Sequence, residues 1–439
     1  MASTILNSAK VSSLTQALFK GKTDDMEFQL GIRQSSVPQA REYLEIAADQ
    51  DAKSTGSNVV FSLPKLGYLK NACLKITMAA TDISAYASDK GITWAPALAA
   101  SIVESITLRS TSRQILQIDS YRIMELINQS ENKDAYQKMA GYHWSYDTNT
   151  GSHSMPADQT KDLLGLKLSS RSDTYPGPVI TLPIMLSCFA DSKCALPLGF
   201  CESLSLVVRT RSVARYCAAA NATVPSISMA LGLDIAVLEQ TAAKKTIDAT
   251  FPPSRSAQIM LESSQLIGQS TKETPAGSDH TLTNIPINTT VTDLVRSLTF
   301  VAYPATNDES TTALFSDKFL KISRVSFRAS GRILFDLDAD SLSCMNLANR
   351  MGSKQLCGLS ELLDELSPNN IVSVQMCQDV TNSSYYSSGM PCAGLSSQQF
   401  VVSVLSRSNT PFKVRIYANC VALRTISSDA GVITAALST

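Results

Sequence analysis

The sequence has few of the residues on which enzymatic chemistry depends. Among its 439 residues are three histidines, His143, His153 and His280, and none belongs to an HxH pair of the kind that binds a metal ion. Residues 20–23 read KGKT, but Gln16 stands where a phosphate-binding loop needs its first glycine. No GxSxG motif occurs. We therefore expect no enzymatic activity, no catalytic or metal-binding residues and no cofactor.

The chain also has no excess of charge of either sign. Lys plus Arg and Asp plus Glu both number 38, whereas a protein whose main ligand is nucleic acid normally carries a basic excess. We therefore expect no specific nucleic-acid binding. Only 17% of the residues are charged and 44% are hydrophobic, which suffices for large cores and leaves little charge for the surface. This composition predicts that other subunits cover much of the surface.

Targeting signals and cysteine motifs are missing as well. The first residues, MASTILNSAK, lack the charged and apolar parts of a signal peptide, and no uncharged run is apolar enough for a membrane helix. None of the ten cysteines belongs to a CxxC pair. We expect buried free thiols in a protein that is synthesised in the cytoplasm without a signal peptide. Disulfides in an extracellular particle are the alternative.

One pattern of fourteen residues is present twice. Residues 106–119 read ITLRSTSRQILQID and residues 325–338 read VSFRASGRILFDLD, at an offset of 219 positions. In both copies apolar residues alternate with others on either side of a short polar turn, which is the pattern of a half-buried β-hairpin. Gly331 suits the turn because a positive φ costs a glycine nothing. Residues 63–80 and 285–302 form a second matching pair, at an offset of 222.

The length and the repeat together predict two similar domains, because 439 residues exceed what one core usually supports. We place an N-terminal amphipathic segment at residues 1–25, a first domain at 26–243, a linker at about 244–255 and a second domain at 256–439. Both halves contain short alternating segments separated by Pro, Gly, Ser and Asp, which is typical of antiparallel sandwiches. The predicted fold is mainly β: two tandem jelly-roll β-sandwiches with short helices in the connecting loops.

A helix is predicted directly after the first hairpin. Residues 120–142 have helical character and begin with Ser120, a residue type that commonly caps helices.

The N-terminal segment has apolar residues at helical spacing with lysines beside them. It either packs under its own domain or a neighbouring one, or it faces the interior of an assembly or a membrane. The residues concerned are Lys10, Val11, Leu14, Leu18, Lys20 and Lys22.

Four arginines flank the two predicted hairpin turns, namely Arg109, Arg113, Arg328 and Arg332. In one interpretation they are solvated at the tip of a hairpin or form ion pairs within their own domain. In the other they form ion pairs between subunits. In the second role, the planar guanidinium group would hold a carboxylate of a neighbouring subunit in a fixed geometry.

With these features the chain resembles the double jelly-roll major capsid protein lineage of icosahedral DNA viruses. The resemblance spans about residues 1–430 and includes the amphipathic N-terminus. Its further motifs are FSLPKLGYLKNACLKI, SITLRSTSRQILQIDSYRIMELIN, TLPIMLSCFADSKCALPLGFCESLSLVVR and RILFDLD.

The resemblance implies a structural protein of the virion, synthesised in the host cytoplasm. Its three copies would form a pseudo-hexameric homotrimer that tiles an icosahedral shell. The implied partners are other copies of the chain, neighbouring capsomers, and penton and minor capsid proteins. The N-terminal segment leaves open an internal membrane as a further partner. The alternative function is a trimeric attachment or carbohydrate-binding head built from two β-sandwiches.

Overall fold

The computed structural model of the chain contains two β-sandwiches that follow one another in the sequence. It describes residues 39–49, 57–79, 81–82, 92–95, 98–110, 113–129, 174–175, 179–184, 196–199, 201–219, 226–238, 257–273, 281–291, 294–309, 314–315, 318–338, 341, 366–368, 371–376, 389–392, 395–406, 411–426 and 433–435.

The first sandwich consists of two antiparallel four-stranded sheets. Its strands are β1 (Gln39–Ala47), β2 (Asn58–Ser62), β3 (Tyr68–Met78), β4 (Thr81–Asp82), β5 (Ile92–Trp94), β6 (Val103–Ser110), β7 (Gln114–Asp119), β8 (Thr174–Tyr175), β9 (Val179–Pro183), β10 (Leu204–Thr210), β11 (Cys217–Ala219) and β12 (Ile227–Leu238). One sheet has the strand order β1-β12-β3-β9 and the other β2-β10-β6-β7, while β4 with β8 and β5 with β11 form two small ribbons. The helices are α1 (Leu98–Ile102), α2 (Ser120–Gln129) and a short 3-10 helix at Val213–Arg215.

The second sandwich has the same strand order. Its strands are β13 (Ala257–Lys272), β14 (Thr281–Asn288), β15 (Leu294–Pro304), β16 (Lys318–Ala329), β17 (Arg332–Asp338), β18 (Leu366–Pro368), β19 (Ile371–Gln375), β20 (Met390–Pro391), β21 (Gln399–Ser406), β22 (Phe412–Ile426) and β23 (Ile433–Ala435), and its helix is α3 (Thr306–Glu309). The main sheets run β13-β22-β15-β19 and β14-β21-β16-β17. Eight strands thus correspond one to one in the two halves, as in a duplicated jelly roll. The predicted fold class is confirmed.

Each core forms between the inward faces of its two sheets. In β3 buried residues alternate with more exposed ones along most of the strand, because successive side chains point to opposite faces. The equivalent strand β15 departs from this rule, since all nine residues between its two ends are buried. One face of β15 lies in the second core, and the other lies against the first sandwich through Val301 and Tyr303.

The repeated sequence pattern forms a hairpin in both sandwiches. Strands β6 and β7 pair on either side of residues 111–112, and β16 and β17 pair on either side of Ser330 and Gly331. Both turn residues of the second hairpin have positive φ, 51° for Ser330 and 75° for Gly331, as the tight turns of two-residue hairpins require. The hairpins predicted from the repeat are confirmed.

The last residue of each repeat caps the segment that follows. The Asp119 carboxylate accepts a hydrogen bond from the Arg122 backbone N–H at 3.0 Å, and Asp338 accepts one from the Ser341 N–H at 2.8 Å. The expectation that Ser120 caps the helix is therefore wrong, since Asp119 supplies the oxygen at the N-cap position. The Ser120 hydroxyl is buried and instead accepts a hydrogen bond from Arg211.

Several predicted segments lie wholly or partly outside the described residues. Of the helix expected over residues 120–142, the structure describes Ser120–Gln129 as α2. The amphipathic segment 1–25 and the linker 244–255 are outside the described ranges, so the domain boundaries stay predictions. Among the residues that the structure describes, no helix combines the length and the apolar character needed to cross a membrane.

Candidate functional site

The two sandwiches meet at an aromatic cluster that belongs to both. Tyr121, at the start of α2, is 1% exposed and its ring stacks on that of Tyr303 in β15, with 4.3 Å between centroids. Phe315 and Phe319 lie 6.0 and 5.9 Å from the same ring. Separations of this size are typical of favourable aromatic pairs. One hydrophobic cluster therefore runs without a break from the first sandwich into the second.

An ionic network surrounds these rings. Arg415 in β22 is paired with Asp308 at 2.7 Å and lies 3.9 Å from Asp119 of the first sandwich. The Tyr303 hydroxyl donates a second hydrogen bond to Asp308, at 2.7 Å. The Arg415 guanidinium carbon also lies 5.5 Å from the ring centroids of both Tyr121 and Tyr303, within the range of a cation–π contact. Arg415 of the second sandwich thus lies between two carboxylates, Asp308 of its own sandwich and Asp119 of the first.

Burial changes the acidity of the groups in this network. It raises the pKa of the Asp119 carboxyl, while hydrogen bonds from the Tyr417 hydroxyl and the Arg122 backbone N–H act in the opposite direction. Burial also raises the pKa of Tyr121, Tyr303 and Tyr417. The tyrosines therefore stay neutral at physiological pH and serve as hydrogen-bond donors and stacking surfaces.

Two further arginines connect the first sandwich to the segment that follows β15. Arg211 donates hydrogen bonds to the backbone carbonyl of Val103 at 3.1 Å and to the Ser120 hydroxyl at 2.8 Å, and it stacks on the Phe315 ring at 4.5 Å. Arg215 donates to the carbonyl of Asn307, and its own carbonyl accepts the N–H of Phe315 at 2.7 Å. These contacts fix the backbone of the second sandwich directly to that of the first.

A buried ion pair on α2 forms a further contact with the second sandwich. Glu125 is 2% exposed, forms an ion pair with Arg122 one helical turn away and accepts a hydrogen bond from the Thr299 hydroxyl of β15 at 2.7 Å. A buried carboxylate is tolerated only with such partners. We call the boundary between the two sandwiches the inter-sandwich interface. Its centre is apolar, and specific polar contacts surround that centre.

The residues of this interface were not singled out from the sequence. Arg415 lies in the run KVRIYANC and Tyr121 in SYRIMEL, where nothing local marks a contact with the other half of the chain. The available signal was the presence of arginines inside otherwise apolar strands, because a buried arginine needs a partner. The near-continuous apolar run LVRSLTFVAYP of β15 was a second signal, since it is typical of strands covered on both faces.

The four arginines predicted at the hairpin turns, Arg109, Arg113, Arg328 and Arg332, all lie where the repeat placed them and are exposed. No ion pair joins any of the four to another residue within the described ranges. Their role in contacts between subunits stays a prediction. The six residues of the N-terminal segment, from Lys10 to Lys22, lie outside the described ranges.

The exposed face of the second hairpin has an ion pair of its own. Arg324 in β16 donates to Asp336 in β17 across the strand pair, at 2.7 Å for the Nε–Oδ1 contact. This bidentate contact lowers the pKa of Asp336. Across the part of the chain that is described, no group of three or more His, Cys, Asp or Glu side chains is placed to hold a metal ion.

One family model matches the first half of the chain. The model of the major capsid protein N-terminus matches residues 40–247. No curated protein matches the chain in sequence.

Solved structures with the same fold come from several viruses. The capsid protein in the PBCV-1 virus capsid aligns with a TM-score of 0.64 and 11% identity, over 92% of this chain and 98% of that one. The Faustovirus major capsid protein aligns with a TM-score of 0.60 and 9% identity, over 96% and 98% of the two chains. The mavirus major capsid protein aligns with a TM-score of 0.57 and 10% identity, over 91% and 90%.

Proposed function

The chain belongs to the double jelly-roll lineage of viral major capsid proteins, and from this premise we propose that three copies form a pseudo-hexameric capsomer. The protein is a structural component of an icosahedral virion capsid and not an enzyme. Of the two functions that the sequence left open, the match to the major capsid protein N-terminus supports the capsid protein over an attachment head.

The observation that carries the proposal is the orientation of the two sandwiches within one chain. Strand β7, at the edge of a sheet in the first sandwich, lies against β13, at the edge of a sheet in the second. Unlike surfaces of two equivalent units are therefore in contact, which is a head-to-tail arrangement. Head-to-tail contacts form closed rings when the rotation between units allows it. Three chains then supply six sandwiches, and a molecule of threefold symmetry acquires a nearly hexagonal outline.

Such an outline suits a shell. Hexagonal units tile a flat facet with the same contacts on every side, and each contact can be weak because many form together. The partners that we propose on this basis are neighbouring capsomers, penton proteins at the vertices and minor capsid proteins. The free thiols of Cys73 and Cys201 are consistent with synthesis in a reducing cytoplasm. Burial raises the pKa of Cys201 to about 12, which keeps that thiol unreactive.

The experiment that tests the trimer is sedimentation of the purified full-length chain together with electron microscopy. The expected species has three times the chain mass of 47.2 kDa and a six-lobed outline. A protein that sediments as a monomer at all accessible concentrations and forms no shells would refute the proposal.

We propose an internal role for the N-terminal segment, in contact with a membrane or another component inside the shell. Its apolar residues at helical spacing and its lysines favour this role. Deletion of residues 1–22 should leave the trimer intact, because that segment precedes β1, while particle assembly should fall. Sedimentation measures the first outcome and electron microscopy of assembled particles the second. Loss of the trimer in this deletion variant would contradict the proposal.

A further inference from the structure

The two equivalent hairpins differ in how much of their apolar surface is covered. Ile115 in β7 is 5% exposed, whereas its counterpart in the repeat, Leu334 in β17, is 42% exposed. The adjacent residue Ile333 is 57% exposed. The strands occupy the same edge position in equivalent sheets. The difference therefore reflects what lies next to each hairpin and not the hairpin itself.

The cover over β7 includes the second sandwich. Strand β13 lies beside β7, and a cleft of about 340 Å³ between them is lined by Ile115 on one side and by Ser264, Gln265 and Leu266 on the other. Tyr417 of the neighbouring strand β22 also lines this cleft. Strand β17, at the free edge of the second sandwich, has no such neighbour within the described part of the chain.

Matching bulges show which residues of the first sandwich correspond to that cover. The pairing of β12 with β3 skips one residue next to Asp234, and the pairing of β22 with β15 skips one residue next to Asn419. Asp234 and Asn419 are therefore structural equivalents. Tyr43 is paired with Asp234 in β1, and Ser264 is paired with Asn419 in β13.

The counterpart of the cover is thus residues 43–45 in β1, and it is open. Tyr43 is 71% exposed and Glu45 is exposed as well. In the first sandwich, the surface of β1 that corresponds to β13 is therefore exposed. In the second sandwich, the surface of β17 that corresponds to β7 is exposed. A single chain cannot bring its own two free surfaces together without breaking the inter-sandwich interface, but two chains arranged head to tail can.

We propose that β17 of one chain packs against β1 of a second copy of the chain, with Ile333 and Leu334 covering Tyr43. This inference rests on the proposed trimer and identifies the surface that closes it. Arg328 and Arg332 are exposed at the end of the hairpin, and Glu45 is the carboxylate exposed on the same face of β1 as Tyr43, where its partner within the chain is Lys75 at 3.5 Å. The contact would give the two arginines the intersubunit role, which is one of the two roles that the sequence left open.

A charge substitution on the apolar surface tests the contact. Leu334→Asp places a carboxylate where the partner's ring would exclude water, so the trimer should dissociate at concentrations at which the wild type stays associated, by about tenfold or more in dissociation constant. Leu282→Asp is the matched control, because Leu282 is 53% exposed and lies on β14, at the opposite edge of the same sheet. That variant should sediment as the wild type does.

Cross-linking tests the contact between β17 and β1 without relying on a charge substitution that could affect folding. The variant Tyr43→Cys with Leu334→Cys, treated with a short bismaleimide, should give a covalent trimer on a denaturing gel, because each chain is linked to the next around a ring. A contact of like surfaces would stop at a covalent dimer. The pair Tyr43→Cys with Leu282→Cys, each single variant and the wild type are the controls and should stay unlinked.

The outcomes separate this inference from the proposed function. A wild-type trimer that is insensitive to Leu334→Asp and gives no covalent trimer would overturn the β17–β1 contact and leave the capsomer intact. A wild-type monomer would overturn both. If Leu334→Asp fails to fold, as judged by circular dichroism, the cross-linking result stands alone as support or refutation.

Discussion

Truncation of Tyr121 should uncouple the two sandwiches. This ring is almost fully buried and stacks on Tyr303 of the second sandwich at 4.3 Å. Replacing a buried aromatic residue by alanine costs about 3–5 kcal/mol through lost transfer energy and the cavity left behind. Of this, roughly 0.5–1.5 kcal/mol belongs to the stacked pair itself. Because the ring joins the two units, we expect Tyr121→Ala to lower the free energy of unfolding and to weaken the coupling between them.

The tryptophans of the chain allow the coupling to be measured. Trp94 lies in β5 of the first sandwich, and both tryptophans of the chain precede residue 257, where β13 begins. Tryptophan fluorescence therefore reports on the first half of the chain and not on the second sandwich, whereas far-ultraviolet circular dichroism follows both. In urea the two signals should have one midpoint for the wild type. In Tyr121→Ala they should separate, since each core persists without the interface. The measurement requires a fixed protein concentration, because association stabilises the folded chain.

Two control variants distinguish coupling from simple destabilisation. Phe400→Ala removes a ring that is 1% exposed and stacks on Phe327 inside the second core at 4.2 Å. It should cost a similar 3–5 kcal/mol or so while both midpoints move together. Tyr121→Phe keeps the ring and loses only the hydroxyl, at about 0.5–1.5 kcal/mol. Coincident midpoints in Tyr121→Ala, displaced as in Phe400→Ala, would show that the Tyr121 ring does not couple the two sandwiches.

Two further changes test local features of the fold. Gly331→Ala should lower the free energy of unfolding by about 1–2 kcal/mol, because φ is 75° there and an alanine pays the left-handed penalty. Urea unfolding would show it, and equal stability of wild type, Gly331→Ala and Gly331→Asn would contradict it, since asparagine tolerates this conformation better. The hydrogen bond from Arg41 lowers the pKa of Asp234, so this pair should stabilise the fold above the unfolded-state pKa of about 3.9 and lose its effect as pH falls through the lower folded value. The stability difference between wild type and Asp234→Asn in urea should therefore shrink from pH 7 to pH 3, and a difference that grows on acidification would count against the pair.

Local signals in the sequence were sufficient for the individual hairpins and for the fold class. Alternation of apolar residues assigned the buried faces, and Gly331 marked a turn because few other residues adopt its backbone conformation. The error at Ser120 arose because two neighbouring residues could both cap α2, and tertiary contact decided between them. The Ser120 hydroxyl accepts a hydrogen bond from Arg211, and the Asp119 carboxylate therefore caps the helix.

The inter-sandwich interface could not be predicted by the same means. Its partners lie far apart in the chain, as with Glu125 and Thr299, 174 positions apart. Periodicity tells which face of a strand is covered but not by what. The duplication itself added an ambiguity, because both halves have the same pattern while only one of the two hairpins is covered within the chain. Only the three-dimensional arrangement distinguishes Ile115 from Leu334.

The coverage of β15 on both faces has a consequence for biosynthesis. The chain emerges from the ribosome with the first sandwich leading, and domains generally fold in that order. Until residues 303–319 have been synthesised, the Tyr121 ring lacks the rings of Tyr303, Phe315 and Phe319 that lie against it in the complete chain. The nascent first sandwich therefore exposes part of an aromatic surface while β13 to β16 are being translated. In a cell that makes many copies at once, that interval is when the chain is most prone to aggregate and most dependent on chaperones.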